Sequence, residues 1–458
     1  MRLTNVSQMQ VQPGRVYSYS IRAEMTDSPD AERLPVSFDQ DRHVSFGSRP
    51  GSWMAVSFSL PVHADREIIA QGWIEVVHRH GTLRSVFSWD EQAGGNGTNL
   101  TLNPVEVAPG EWEQLGEGSV LTPPALRTVL REHFDLVCRS LEAPSYRLCV
   151  IEDEAGTETP QVIIGSDHAH VDAWSLLVLT RDLATCVQNL LDGRPLDTGL
   201  PAVESFAAHS QVLEEHPAPP KEVVERWSDI LEAGGNSMPR FPLDLGDVSQ
   251  PVGEFVEIRD VFDADELAQV EAHAAEHKVR LIAVAVSVMT RLAAELSGGP
   301  LRAVFPVHSR HESRWFNSVG WFITNSVLEN HDDDYQACYA AVKEAIRLGS
   351  YPLAPIMRPY GGMPQDPGMF AMSWLDHRKL PVNVDDELNP QHVSAVIRTD
   401  GVMIWFVINQ TGMHLRCRYP DTRQARRSMR TWLAGLVYGL RAPLEHQALR
   451  AIKAGSGH

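Results

Sequence analysis

The stretch Gln161-Val-Ile-Ile-Gly-Ser-Asp-His-Ala-His-Val-Asp-Ala-Trp-Ser175 decides how this chain is read. Its Val162-Ile163-Ile164 run is short, β-branched and bounded by Gly165, which predicts a strand buried on both faces. After Asp172 the apolar residues Leu176, Leu179, Leu183, Val187 and Leu190 recur at three- and four-residue steps, so a helix follows and stops at Gly193. His168 therefore falls in a tight strand-to-helix connection, four residues ahead of Asp172. A rigid connection of that kind can hold an imidazole at the floor of a cleft with a pKa near neutrality, as a general base requires. The His-x-x-x-Asp spacing alone is common; its position at a strand end gives it weight. Asp172 is also placed to be the N-cap of the helix.

Outward from this stretch, the pattern predicts a strand over 53–60, a helix opened by Asp65, a strand over 83–89, a turn at Gly94-Gly-Asn-Gly97 and a Pro-containing loop before a helix after Pro124. Strands over 146–152 and 161–166 complete an α/β half. Pro195, Gly199, Pro201, Pro217, Pro219 and Pro220 then mark a linker or crossover rather than a folded element. The second half repeats the grammar. A strand over 255–262 leads to a helix capped by Asp263 with Glu266 three positions on. A helix over 281–296, strands over 301–307 and 321–328, a helix over 335–348, strands over 370–375, 393–397, 402–408 and 414–419, and a helix over 422–440 follow. The expected division is 1–193, a linker at 194–220, and 221–458, with a ligand cleft between two halves that suggest an internal duplication.

At 458 residues, 43% apolar and 22% charged, the chain can bury more than one core. A formal charge of −19 argues against nucleic acid or an anionic membrane as a general partner. No apolar run approaches the roughly 20 residues of a membrane span and the start lacks a secretory signal, so no transmembrane segment and a cytoplasmic location are expected. The five cysteines are widely spaced with no C-x-x-C pair, and read as buried thiols.

Four ordered segments stand together: Pro35-Val-Ser-Phe-Asp-Gln40, Arg79-His-Gly-Thr-Leu-Arg84, the HHxxxDG-like Ser166-Asp-His-Ala-His-Val-Asp-Ala173, and the VGxFxN-like Val319-Gly-Trp-Phe-Ile-Thr-Asn325. In this order they resemble the condensation domains of nonribosomal peptide synthesis and related acyltransferases. Phe241-Pro-Leu-Asp-Leu-Gly-Asp247 and Phe370-Ala-Met-Ser-Trp-Leu-Asp376 are closer still to mycobacterial polyketide-associated acyltransferases. The resemblance implies an α/β fold of two chloramphenicol-acetyltransferase-like sandwich halves, a V-shaped pseudo-dimer with an interface tunnel. It makes His168 the catalytic base, Asp172 the structural aspartate and Arg310 its partner; on the residues alone, Arg310 is a solvated arginine after a strand. His170 alternates with His168 and is expected to be structural or tunnel-lining. Two departures stand out: Asp167 replaces the first motif histidine and Ala173 the motif glycine. A carboxylate beside His168 is expected to raise its pKa.

The implied reaction is acyl transfer to a small-molecule hydroxyl or amine, giving an ester or amide in lipid, polyketide or nonribosomal peptide biosynthesis. The donor is acyl-coenzyme A or a phosphopantetheinyl carrier protein, with no bound cofactor and no metal. A neutral imidazole takes the proton that the attacking group loses, typically worth about 10²–10⁴-fold. Ser373, Trp374, Asp167 and Asn325 are candidates for the oxyanion site or the tunnel wall. Trp321, Phe322, Trp374 and Trp405 otherwise read as core, and Arg416, Arg418, Arg423, Arg426, Arg427 and Arg430 as a solvated basic face or a phosphate receptor. Two alternatives accompany this reading: a non-catalytic docking domain of the same fold, and a metallohydrolase using His168, His170 and Asp172, although Ala173 stands where that motif needs a histidine.

Overall fold

Two mixed sheets organise the chain, each buried against its own helices. The computed structural model describes residues 2–25, 33–90, 100–155 and 158–455. The predicted turn at 94–97 lies outside the described residues.

The first unit gathers Met1–His216, His308–Ile323 and Leu380–Val396. Its elements run β1 (Arg2–Asn5), β2 (Arg15–Met25), α1 (Phe38–Val44), β3 (Trp53–Ser59), α2 (Arg66–Arg79), β4 (Ser85–Trp89), β5 (Leu100–Gln114), α3 (Pro123–Val137), β6 (Tyr146–Glu152), β7 (Gln161–Asp167), α4 (Ala173–Leu191) and α5 (Phe206–Glu214). The sheet order is β1, the late strand Gln391–Ser394, β3, β7, β6, β2, β5, β4. Between β3 and β6, antiparallel to both, β7 sets Ile164 opposite Val56 and Leu148. β7 is thus internal to the sheet, and because Val162, Ile163 and Ile164 point alternately to its two faces and are all fully buried, both faces are covered. Ile69, Trp73 and Val76 of α2 and Leu176, Leu179 and Leu183 of α4 share one core with Phe58 and Leu148. Each such side chain contributes about 1.5–3 kcal/mol on burial.

Three expectations change here. The Pro-containing loop after 97 is the long strand β5, paired with both β2 and β4. Pro104 ends the β4 pairing opposite Ser85, and Pro109 falls where the β2 register shifts between Ser20 and Arg22. A residue without an N–H is tolerated at such a break in the ladder. Gly110 beside it is obligatory, because a Cβ there would lie 1.5 Å from the Ser20 carbonyl oxygen. Residues 194–216 belong to the first unit, and the supposed linker holds α5. Its prolines bracket this helix instead of breaking it, and Phe206 buries itself against Trp315 and Phe322. Finally, residues 308–323 and 380–396 return to the first unit, so the units do not follow a single cut.

The second unit comprises Pro217–Val307, Thr324–Lys379 and Ile397–His458. Its elements are α6 (Lys221–Ala233), β8 (Val252–Asp263), α7 (Ala264–Glu276), α8 (Leu281–Ser297), β9 (Leu301–His308), β10 (Ile323–Asn330), α9 (Tyr335–Leu348), α10 (Leu353–Met357), β11 (Phe370–Asp376), β13 (Arg398–Thr399), β14 (Val402–Asn409), β15 (Gly412–Pro420) and α11 (Arg423–Gly455); β12 is the Gln391–Ser394 strand in the first sheet. The order is β10, β9, β11, β14, β15, β8, β13. Val284 and Val288 of α8 and Trp432 and Leu436 of α11 pack on Phe370, Ile404 and Leu415. The capping box of Asp263 and Glu266 starts α7, while α11 continues past Pro443 beyond its expected end.

Candidate active site

The His168 turn is made by backbone hydrogen bonds that the strand end leaves open. The His168 amide donates to the Ser52 carbonyl (2.9 Å), the His170 amide to the Asp167 carbonyl (3.1 Å) and the Val171 amide to the His168 carbonyl (3.4 Å). Asp172 then caps α4, its Oδ1 accepting from the Ser175 amide at 2.7 Å. Ala173 is the first residue of that helix, where alanine is well suited.

Arg310 comes back to this cap from 138 residues away. Its Nη1 donates to Asp172 Oδ2 at 2.6 Å and its Nη2 to Oδ1 at 3.2 Å, and Oδ2 also accepts from the Phe322 amide at 3.1 Å. Nη2 further donates to the Ser175 hydroxyl (2.9 Å) and the Ser318 carbonyl (3.1 Å). The guanidinium lies 3.8 Å from the Phe322 ring centroid and 4.9 Å from that of Trp174. Both charges are buried, to 1% exposure each. Burial pulls the Asp172 carboxyl upward, but the Arg310 charge and hydrogen bonds, with the Ser175 amide and hydroxyl, outweigh it and hold the pKa below the usual range. Both Asp172 oxygens are thereby engaged by the guanidinium and by the Ser175 and Phe322 amides. Gly320 closes the site: it exchanges hydrogen bonds with Ser175 Oγ, and a Cβ there would lie 2.3 Å from Phe206.

His168 is half-buried and stacked on Trp321, with ring centroids 4.1 Å apart and planes at 29°. Its Nδ1 is buried with no hydrogen-bond partner on another of the described residues, which leaves Nε2 as the nitrogen able to meet a ligand. Burial pushes the imidazole below its ordinary pKa and the His43 charge adds to this; its own main-chain carbonyl, Asp167 and Asp172 pull the other way and lose. The expected rise is thus a fall, because desolvation of the ring outweighs the neighbouring carboxylate. The Asp167 carboxylate is itself engaged, accepting from the Ser52 hydroxyl (2.7 Å) and the Ala169 amide (2.8 Å), with His43 Nε2 at 3.3 Å. Burial works to raise its pKa, but those partners hold it below the ordinary carboxylate range. An ionised carboxylate has no proton to donate, so Asp167 is no oxyanion donor.

The remaining candidates separate. His170 is fully buried, its Nδ1 3.1 Å from the Ser145 hydroxyl, and burial lowers its pKa to about 4. His168, His170 and Asp172 thus turn to different partners, and among the described residues no three His, Cys, Asp or Glu side chains gather to hold a metal. Ser373 and Trp374 lie on β11, Trp374 stacked on Phe406, and Asn325 lies on β10, all in the second unit. The basic cluster is not uniformly solvated: Arg416 is buried with its guanidinium 4.5 Å from the Trp405 ring centroid, and Arg426 pairs with Asp421. Sequence reasoning missed the roles of Trp321, Ser175 and His43, although Trp321 sat inside a motif already singled out. All five cysteines are buried and unbridged, and among the described residues no helix is long and apolar enough to cross a membrane.

A fold of two mixed α/β sheet units, with an HxxxD turn held by a buried arginine, defines a class, and comparison with known proteins gives the same one. The condensation-domain family model matches residues 43–347, and the chain belongs to that family. Acyltransferase PapA3 of Mycobacterium tuberculosis is 24% identical over 430 residues, covering 88% of each chain. Among solved structures, the PapA2 acyl transferase superposes with a TM-score of 0.80 at 18% identity, over 97% of this chain and 99% of that one. The SgcC5 protein of Streptomyces globisporus, solved with a naphthyl-1,2-ethanediol and sucrose, has a TM-score of 0.64 at 17% identity, over 89% and 98%. These neighbours share the α/β fold of two chloramphenicol-acetyltransferase-like halves.

Proposed function

We propose that this protein is an acyltransferase that moves an acyl group from a coenzyme A or phosphopantetheinyl carrier-protein thioester to a hydroxyl or amine, with His168 as general base. The observation that carries this reading is the His168 ring itself. It is half-buried, held below its ordinary pKa by burial and stacked on Trp321, at a turn tied down through Asp172 and Arg310. Nε2 takes the proton as the acceptor oxygen or nitrogen attacks the thioester carbon. The tetrahedral intermediate then collapses, the C–S bond breaks, and the same proton leaves with the thiolate, so no acyl-enzyme is needed. Asp172 transfers no proton; it fixes the turn. The relative matched over 88% of each chain and named an acyltransferase supports the reaction class. The diol held by SgcC5 favours a hydroxyl acceptor. Asp167 is fully engaged and Ala173 lies inside a helix, so neither departure from the motif disturbs the turn, which favours catalysis over docking. Synthesis of a lipid, polyketide or nonribosomal peptide product, and a cytoplasmic location, belong to the same proposal.

The test is thiol release from acyl-coenzyme A and acyl-carrier thioesters against a panel of alcohols and amines. His168→Ala should lose about 10²-fold or more in turnover while keeping the wild-type melting temperature. Full activity in that variant refutes the base.

A further inference from the structure

A second set of ionisable groups surrounds the His168 turn, and the mechanism above does not use it. The short helix α1 starts with a capping box between Ser37 and Gln40, and the Gln40 side-chain amide donates to the Ala169 carbonyl at 2.9 Å. His43, three residues on, shares the Gln40 face of the helix. Its Nε2 lies 3.3 Å from Asp167 Oδ1, and its side chain is only 11% exposed. The His43 ring centroid is 5.0 Å from that of Trp321 and 6.1 Å from that of His168. Asp167 and Trp321 are thus shared by two histidines, and Trp321 forms the stacking surface of the base. The charged groups facing His168 are His43 from α1 and Asp167 and Asp172 from its own turn. Arg310 neutralises Asp172, and Arg49 acts on Asp167 from a distance.

We propose that His43 is a positioning residue for His168, clamping the Asp167 carboxylate and the Trp321 ring and, in its protonated form, opposing protonation of the base. The proposal rests on the reading of His168 as general base. Asp167 replaces a histidine of the family motif, and α1 returns an imidazole to the site from outside that motif. Burial is the main cause of the lowered His168 pKa, and a positive charge on a ring 6.1 Å away would lower it further.

The experiment is His43→Gln, which keeps a donor for Asp167 and removes the charge, with His168 titrated by NMR of labelled imidazoles and assigned by its loss in His168→Gln. Removing the cation should raise the His168 pKa by roughly 0.5–1 unit. The acid limb of kcat/KM should move to higher pH by the same amount, with kcat recovered at high pH. NMR reads protonation without turnover, so a wrong base assignment appears separately, as an active His168→Ala. An unchanged or lowered His168 titration overturns the proposal. So does a uniform loss of kcat with no pH shift, which a purely structural role would produce. His43→Asn is the second variant; if both fail to fold, His43 supports the fold rather than the base and the proposal is overturned.

Discussion

Asp172→Ala tests whether the motif aspartate serves structure or chemistry. The substitution strips a fully buried guanidinium of both bonds to its carboxylate and leaves the Ser175 and Phe322 amides without their acceptor. Breaking a buried pair costs about 3–5 kcal/mol, the lost cap about 1 kcal/mol, and an orphaned amide about 1–3 kcal/mol. These losses share one carboxylate and do not add, so about 4–5 kcal/mol is the expected total. At roughly 2–4 °C per kcal/mol for a unit of this size, melting should fall by about 8–20 °C. Thermal unfolding by circular dichroism should show that drop for Asp172→Ala and none for His168→Ala. Replacing the pair together, as Asp172→Leu with Arg310→Met, should recover most of the stability because no charge is left unpaired. An Asp172→Ala protein that melts like wild type and lacks activity would refute the reasoning and place Asp172 in the chemistry.

Stability should fall as pH drops from about 6.5 toward 4, because the unfolded chain protonates histidines that stay neutral in folded His170 and His209 down to about 4. Each contributes a slope of up to ~1.4 kcal/mol per pH unit, so denaturant midpoints at pH 7 and 5 should differ, and His170→Gln should flatten the dependence. Gly320→Ala pushes a methyl into Phe206 and should destabilise by about 1–3 kcal/mol in urea unfolding. Ser373→Ala should lower kcat by about 10²-fold with little change in KM, if the Ser373 hydroxyl is an oxyanion donor; unchanged kcat removes it from that role. Prolonged chelation should leave activity intact, and loss of activity that zinc restores would revive the metallohydrolase reading.

What the sequence determined alone is local. The β7 run, the α4 periodicity, the Asp172 cap and the Asp263 capping box all depend on residues within a few positions of each other, and the structure has them where the pattern put them. Strand pairing over long separations was less legible. β5 was hidden by two prolines because its partners lie outside the local window, and the Gln391–Ser394 strand carries no mark that it pairs with β1 and β3. At the site, family resemblance pointed to Arg310, while periodicity and spacing left it a surface arginine. Only the fold shows that it is buried, doubly bonded to Asp172 and covered by Phe322. The His168 pKa went the opposite way to expectation for the same reason. The neighbouring carboxylate is visible in the sequence, but desolvation depends on what packs around the ring, and Trp321 and His43 arrive there only when the chain folds.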